Sequence, residues 1–303
     1  MGLGGTGSLV AEGLPRLLLN IDIPVPVYLV DFDRVEPHNL RRQAFYEDDL
    51  GKFKSEVIAR RLAQQYGRKI AYTVHPFDKE MEQSANSGGN LVSRLVDNCL
   101  VIGCVDGASG RIAIHEALEN NYNVWWLDAG NSFNSGQVLI GNSLKEYQMI
   151  GTFVEQRGMV THVPAPSYQS PALLMPEIQL ESIDCAQEVE RNEQSPVINQ
   201  AMASLVLEYV YRIIIGKLSW VGSYIDLDAG TRSNIPAEPA VLSRMLSINE
   251  QSLMYQDSGK KYKVQRGLRP GDNEPVTMLL EDPAEEQIGE IAHQIRQEIE
   301  ELW

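Results

Sequence analysis

The start of the chain carries the first residues whose types and spacing could do chemistry. Gly2, Gly4 and Gly7 fit the pattern G-x-G-x-x-G in the string GLGGTGS, with Gly5 between them. Glycines let the backbone approach a phosphate closely, and amides at the start of a helix point toward such an anion. Alone, the pattern also fits an ordinary loop that enters a helix. Asp31 ends the next predicted strand 24 residues after Gly7, near the spacing of about 20 at which an acid binds ribose hydroxyls. Together these features predict a nucleotide site.

An amide and two cations follow that acidic strand end. They are Asn39, Arg42 and Lys54. An amide can hold a phosphate or a reacting carboxylate, and a guanidinium and an ammonium can offset charge on a pyrophosphate leaving group. The alternative is a surface loop with routine charges. A hydride-transfer enzyme has no use for this arrangement, whereas an enzyme that breaks a triphosphate does.

Asp106 follows an almost continuous apolar run, Asn98–Val105, which is typical of a strand covered on both faces. Ligands bind at the carboxyl ends of such strands, and a carboxylate there can hold Mg²⁺ against phosphates. The alternative role for Asp106 is to cap the helix predicted at Gly110–Asn121. We favour the metal role because of the residues expected around it.

Charge and composition limit the classes of partner. The chain has 303 residues and a formal net charge of −15, which argues against sequence-independent binding to nucleic acid. Eight of the 26 cationic residues nevertheless fall between Arg41 and Lys69, so a local anion site is compatible with the acidic whole. The three cysteines form no Cys-x-x-Cys pair, which argues against a structural zinc site. No signal peptide or membrane span is predicted, and we expect a cytoplasmic protein.

Alternating strand and helix patterns predict an α/β fold with a doubly wound, Rossmann-like and mostly parallel sheet. The strand that normally precedes the glycine turn in such folds is missing, and a truncated or mis-assigned start would account for this. Pro15 predicts a kink or an early break in the first helix. The predicted helices are Ser8–Asn20, Lys52–Tyr66, Gly110–Asn121 and Pro196–Gly216, and the predicted strands are Val25–Asp31, Ile70–His75, Asn98–Val105, Val124–Leu127, Gln137–Ile140 and Val221–Leu227.

The chain is predicted to divide into two parts. Residues 1–218 would form the nucleotide-binding domain, with a long crossover loop at about 143–195. Residues 219–303 would form a smaller α+β extension that ends in an amphipathic helix, Glu285–Trp303.

Taken together, these strings resemble the family of ThiF, MoeB and the ubiquitin-activating enzymes. The resemblance covers about the first 215 residues and is carried by GLGGTGS, VDFDRVEPHNLRRQ, GKFK, CVDGASGR and GQVLIG, in the family's order and spacing. The string LDAGNSFNSGQVLIGN and the C-terminal region look closest to the ThiF-like proteins of plasmid PRTRC systems.

The resemblance implies that ATP adenylates the C-terminal glycine of a ubiquitin-like or sulfur-carrier protein, with Mg²⁺ as cofactor and a homodimer as the assembly. By matched position, Asp31 would bind ribose. Asn39, Arg42 and Lys54 would bind the phosphates and the acyl group. Asp106 would bind magnesium, and Arg111 would anchor the turn that carries Asp106.

Cys185 lies in the crossover segment, where relatives that form thioesters carry a cysteine. Its thiolate could attack the acyl-adenylate. The neighbouring acids Asp184 and Glu188 would raise its pKa, so a catalytic and an incidental role both stay open. Cys99 and Cys104 are predicted to be core residues.

Three departures from the family pattern bear on activity. The first strand and any N-terminal arginine are missing, there are no paired zinc ligands, and Gly107 stands where an asparagine commonly follows the acid. A binding or scaffold subunit without turnover is therefore the main alternative. A nicotinamide dehydrogenase, and an adenylating enzyme that acts on tRNA or a peptide, are further alternatives; the charge of −15 counts against tRNA.

Overall fold

The fold is known from a computed structural model. It describes residues 1–41, 43–77, 99–119, 124–153, 161–176 and 195–254, together with the backbone of 264–265 and 277–278. The chain divides into two compact units, Met1–Tyr255 and Gln256–Trp303. In the second unit, β8 (Val264–Gln265) and β9 (Thr277–Met278) pair antiparallel. The predicted helix Glu285–Trp303 lies outside the described residues.

The described residues of the first unit form two sheets. Strands β1 (Val27–Val30) and β2 (Ile70–Thr73) pair in parallel. A second sheet has the order β3-β4-β5-β6-β7, and only β3 and β4 in it are parallel. Its strands are β3 (Leu100–Gly103), β4 (Trp125–Asn131), β5 (Ser135–Gly141), β6 (Trp220–Asp226) and β7 (Thr231–Pro236). The α/β class is confirmed. The sequence predicted a mostly parallel sheet. Among the described strands, two neighbouring pairs are parallel, β1 with β2 and β3 with β4, and the other pairs are antiparallel.

The first two residues lie between β1 and β3. The backbone amide of Cys104 donates to the carbonyl of Met1 at 2.8 Å, and the nitrogen of Met1 donates to the carbonyl of Ile102 at 2.7 Å. On the other side, the amide of Gly2 donates to the carbonyl of Val30 at 3.0 Å. These hydrogen bonds bring the glycine turn to the carboxyl ends of both strands.

Two long helices form the centre of this unit. Helix α1 (Gly5–Asn20) packs on helix α5 (Pro196–Ile214), and α5 covers strands β4 and β5. Met202, Val206 and Tyr209 of α5 are fully buried against that sheet. Ser195 caps α5 by accepting from the amide of Val197, as the sequence predicts. The other described helices are α2 (Lys54–Tyr66), α3 (Ala108–Glu119), α4 (Pro166–Gln169), α6 (Pro239–Leu246) and α7 (Glu250–Leu253).

Two features differ from the sequence expectations. Helix α1 continues past Pro15 to Asn20, without the expected early break. Pro15 removes one backbone hydrogen-bond donor from the helix. Val10 and Ala11 before it and Leu18 after it are all buried, so the helix packs against the core on both sides of the proline. The first compact unit also extends well beyond residue 218, because β6 is hydrogen-bonded to β5 and β7 is hydrogen-bonded to β6.

Among the described residues, no helix is both long enough and apolar enough to cross a membrane.

Candidate functional site

The glycine turn has the three features that a phosphate loop requires. Gly2 has a φ of +74°, and a Cβ there would lie 2.5 Å from the carbonyl oxygen of Cys104. A Cβ on Gly7 would overlap the carbonyl oxygen of Gly2. A Cβ on Gly4 would meet nothing within 4 Å. The first and third glycines thus permit tight packing, and the second faces open space that a phosphate could enter.

The N-terminus of α1 is uncapped. Gly4 at the N-cap position provides no side chain, and the first turn contains no acidic residue. Within the described part of the chain, no acceptor binds the backbone amides of Gly4, Gly5 and Thr6. Two of these residues, Gly5 and Thr6, are buried. Amides without acceptors at the positive end of a helix favour an anion, so this turn is the first half of the candidate site.

Asp31 fixes the position of the turn. Its Oδ2 accepts from the amide of Leu3 at 2.5 Å, and its Oδ1 accepts from the amide of Asp33 at 2.8 Å. Burial raises the pKa of Asp31 above its usual value, while the two amides and Lys54 act in the opposite direction. Each carboxylate oxygen has two lone pairs, so both oxygens can accept a further hydroxyl.

Lys54 is brought to the same place by its neighbours. It is the first residue of α2, and its amide donates to the carbonyl of Asp33 at 2.9 Å. The hydroxyl of Ser55 lies within hydrogen-bond distance of the carbonyls of Asp31 and Thr73, which ties α2 to β1 and β2. The ammonium of Lys54 pairs with Asp33 Oδ2 at 3.0 Å. Asp33 was not predicted as a partner of Lys54 from the sequence, although its position two residues after Asp31 was an available signal.

Asn39 lies in the short 3-10 helix Pro37–Arg41 and is 2% exposed. Its side-chain oxygen accepts from the amide of Glu36 at 2.9 Å. The oxygen is therefore engaged locally, and the amide nitrogen is the atom that can donate to a ligand. Arg42 and Cys185 lie outside the described residues, so their predicted roles stay predictions.

Asp106 lies on the loop between β3 and α3. Gly2 packs against Cys104 and Val105, so this loop borders the glycine turn on the side away from Asp31. Helix α3 begins at Ala108, which makes Gly107 the residue before its first turn. The described residues contain no cluster of three metal-binding side chains. A single carboxylate beside a phosphate turn nevertheless fits Mg²⁺, which is commonly bound by one or two carboxylates together with phosphate oxygens.

Arg111 connects this loop to the sheet. Its Nε lies 3.1 and 3.2 Å from the two carboxylate oxygens of Asp128, and its Nη1 donates to the carbonyl of Asp106 at 3.2 Å. Asp128 is completely buried in β4. Burial raises the pKa of Asp128 to about 6, against the opposing effect of Arg111.

A buried polar cluster joins α1, β4 and α5. The hydroxyl of Thr6 lies 3.0 Å from Asn131 Oδ1 and 3.3 Å from Asn199 Oδ1. Asn131 Nδ2 donates to Asn199 Oδ1 at 3.3 Å, while Asn199 Nδ2 is buried and has no hydrogen-bond partner among the described residues. A shallow groove of about 490 Å³ begins at Asn131 and crosses β5, β6 and β7. The polar residues that line it include Ser132, Ser135, Gln137, Tyr224, Asp226, Thr231 and Ser233.

Comparison with known proteins is consistent with this geometry. The profile of the ThiF family matches residues 1–256. The chain belongs to the ThiF family. A ubiquitin-like modifier-activating enzyme 5 from Drosophila virilis is 35% identical over 144 residues, which are 45% of this chain and 33% of that protein. The corresponding protein of Drosophila melanogaster is 32% identical over 143 residues, with the same two shares. This chain therefore aligns with about a third of these curated relatives' length.

Solved structures show that the fold of this ThiF family member is shared. A structure of PaaA has a TM-score of 0.53 and 17% identity, covering 78% of this chain and 70% of that one. Escherichia coli MccB with MccA-N7isoASN has a TM-score of 0.51 and 19% identity, covering 78% and 63%.

Proposed function

We propose that this ThiF family member uses ATP to adenylate the C-terminal glycine carboxylate of a ubiquitin-like or sulfur-carrier protein. The main support is the uncapped, buried N-terminus of α1, which lies between Asp31 and the loop of Asp106. Lys54 is connected to this turn through Asp33, because its ammonium pairs with the Asp33 carboxylate and the amide of Asp33 donates to Asp31. The named relatives are ubiquitin-like modifier-activating enzymes, and we extend that activity to this chain as part of the proposal.

The proposed reaction transfers AMP to a carboxylate. A carboxylate oxygen of the carrier attacks the α-phosphorus of ATP and forms a new P–O bond. The bond from that phosphorus to the bridging oxygen breaks, and its electron pair leaves with pyrophosphate. No proton has to move in this step.

The chain's own residues would bind the substrates and balance the charge. The amides of Gly4, Gly5 and Thr6 donate to phosphate oxygens, and Asp31 accepts from the ribose. Lys54 moves from Asp33 to the phosphates, where it offsets the charge of the leaving group. Arg42 and the amide nitrogen of Asn39 are proposed to bind the same anion. Asp106 would hold Mg²⁺, which supplies positive charge against the phosphates when it is bound.

We place the carrier's C-terminal segment in the groove that begins at Asn131. That end of the groove is linked through Asn131 to Thr6 in the first turn of α1. Its lining mixes apolar surface with uncharged polar side chains, and Asp226 is the one charged residue among the described residues that line it, which suits an extended, neutral backbone. An extended tail in the groove would end beside the glycine turn.

A second step at Cys185 is proposed for the adenylated carrier. The thiolate would attack the acyl carbon, form a thioester and release AMP. Cys104 is not an alternative nucleophile, because burial raises the pKa of its thiol to about 12. Intact mass of Cys185→Ala should show no carrier adduct, whereas Cys104→Ala should keep it. An adduct that persists in Cys185→Ala would exclude Cys185 as the attachment point.

Carrier-dependent exchange between ATP and labelled pyrophosphate tests the adenylation step. The proposal predicts exchange that requires both Mg²⁺ and a carrier with an intact C-terminal glycine. A scaffold subunit would bind the carrier without exchange, and a dehydrogenase would instead turn over NAD(H). Sedimentation would test the proposed homodimer.

A further inference from the structure

The pair formed by Arg111 and Asp128 contacts the loop of Asp106, because Arg111 Nη1 donates to the carbonyl of Asp106. Arg111 is in the first turn of α3, where the helix dipole disfavours a cation. Its side chain is 11% exposed and that of Asp128 is 0% exposed, so the pair is screened from water. The arrangement therefore needs the buried carboxylate to compensate the guanidinium.

Two residues of strand β4, Asp128 and Gly130, lie against the guanidinium of Arg111. Asp128 contacts the Nε of Arg111 with both oxygens. Two residues further along the strand, a Cβ on Gly130 would lie 3.0 Å from Arg111 Nη2. The remaining nitrogen, Nη1, donates to the carbonyl of Asp106 at 3.2 Å. One side of the guanidinium is thus fixed by the sheet, and the other holds the backbone of the loop.

We propose that Asp128 is a positioning residue, which acts through Arg111 to set the backbone of Asp106 for binding the metal of an ATP complex. This inference rests on the proposed function, because it assumes that Asp106 binds Mg²⁺. Asp128 itself touches neither ATP nor the metal. It determines where Arg111 lies, and Arg111 determines the orientation of the carbonyl at Asp106.

The burial of Asp128 supports such a role. Burial raises its pKa to about 6, so the charged form at neutral pH is less favourable than it would be in water. Packing alone would be served by a neutral residue of the same shape. Asp128→Asn keeps that shape but leaves the guanidinium without its counter-charge, so we expect this variant to be less stable than wild type, and urea unfolding is measured before its affinity for ATP.

The test is the affinity for ATP with and without Mg²⁺, measured by calorimetry on the full chain. We expect wild type to bind ATP at least tenfold more tightly with Mg²⁺. Asp128→Asn should lose most of that gain while its affinity for metal-free ATP stays within about twofold. Arg111→Lys provides a second variant, because its single ammonium cannot reach both Asp128 and the carbonyl of Asp106. Glu208→Gln is the matched control: it weakens the ion pairs with Arg212 and Arg232, outside the site, and should behave as wild type.

The results separate the two proposals. A folded Asp128→Asn that keeps the full Mg²⁺-dependent gain would overturn the positioning role, as would an equal loss of affinity with and without the metal. A wild-type chain that shows no metal-dependent gain overturns it as well. Intact metal-dependent ATP binding without carrier-dependent pyrophosphate exchange would overturn only the proposed adenylation.

Discussion

Lys54 Nζ lies 3.0 Å from Asp33 Oδ2, and the lysine side chain is only 8% exposed whereas that of Asp33 is 54% exposed. The cation is therefore held in the interior of the site by an acid at its surface. A triphosphate would compete with Asp33 for this ammonium.

Replacing Lys54 should strongly reduce carrier activation without unfolding the protein. We expect Lys54→Met to lower carrier-dependent pyrophosphate exchange by about 100-fold or more, since removing one preorganised electrostatic contact typically costs about 10²–10³ in rate. Lys52→Met is the control, because Lys52 is exposed two residues earlier on the same segment. Equal activity of the two variants would remove Lys54 from the mechanism.

Two glycine replacements should separate binding from folding. Gly4→Ala meets no atom within 4 Å, so its stability should stay near that of wild type. Its methyl group would occupy the space proposed for phosphate, and we expect ATP affinity to fall at least tenfold. Gly7→Ala would collide with the carbonyl of Gly2 and should destabilise the fold by about 1–3 kcal/mol. Urea unfolding and ATP titration of both variants test this contrast, and full ATP affinity in a folded Gly4→Ala would contradict it.

Contact between Gly5 and Asn199 should be detectable as coupling. A Cβ on Gly5 would collide with the side-chain amide of Asn199. Gly5→Ala should therefore lower the free energy of unfolding by about 1–3 kcal/mol. In an Asn199→Ala background, which removes the obstructing amide, the same change should cost much less. A double-mutant cycle by urea unfolding gives the coupling energy. Strict additivity would show that the two side chains do not meet.

Filling the groove should affect the carrier but not the nucleotide. Gln137→Trp places a large ring in the groove lining and should raise the KM for the carrier about tenfold or more, with the KM for ATP unchanged. Tyr147→Trp, at an exposed position outside the groove lining, is the control. An unchanged carrier KM in Gln137→Trp would move the docking site elsewhere.

Stability should depend on pH through Asp128 in the direction opposite to that of most carboxylates. Because burial raises its folded pKa to about 6, this group's contribution to stability is fully present below its unfolded pKa and is lost as pH rises through 6. Arg111 and the neutral thiol of Cys104 are the titratable groups coupled to it. From pH 4.5 to pH 7.5, wild type should lose free energy of unfolding relative to Asp128→Asn. Urea midpoints at both pH values test the sign, and a relative gain would contradict it.

Periodicity in the sequence predicted most of the elements within a few residues. Helix α2 and strand β2 follow clear apolar patterns, and Ser195 with Pro196 marks the start of α5. Strands β4 and β5 are longer than predicted, because Asn131 and Gly136 pair across the hairpin although neither is apolar. Backbone hydrogen bonds between β4 and β5 extend both strands beyond the residues whose apolar side chains predicted them.

The positions of the candidate site residues were predictable where they depend on local sequence. The glycine turn, Asp31 and the loop of Asp106 lie where βα motifs place them. Asp128 and Asn199 were not predicted, because Asp128 is a single polar residue in an apolar stretch of β4 and Asn199, next to Gln200, lies at the start of an apolar helix. Their roles depend on contacts with α3 and α1, which only the folded chain brings together.

We propose that one triphosphate binds the amides of the α1 N-terminus, Lys54 and the loop of Asp106 at once. A crystal structure of the chain with Mg²⁺ and a non-hydrolysable ATP analogue would show whether it does. We predict phosphate oxygens within hydrogen-bond distance of the amides of Gly4 and Gly5, Lys54 moved from Asp33 to the phosphates, and the metal on Asp106. A nucleotide bound elsewhere, with Lys54 still paired to Asp33, would contradict the account.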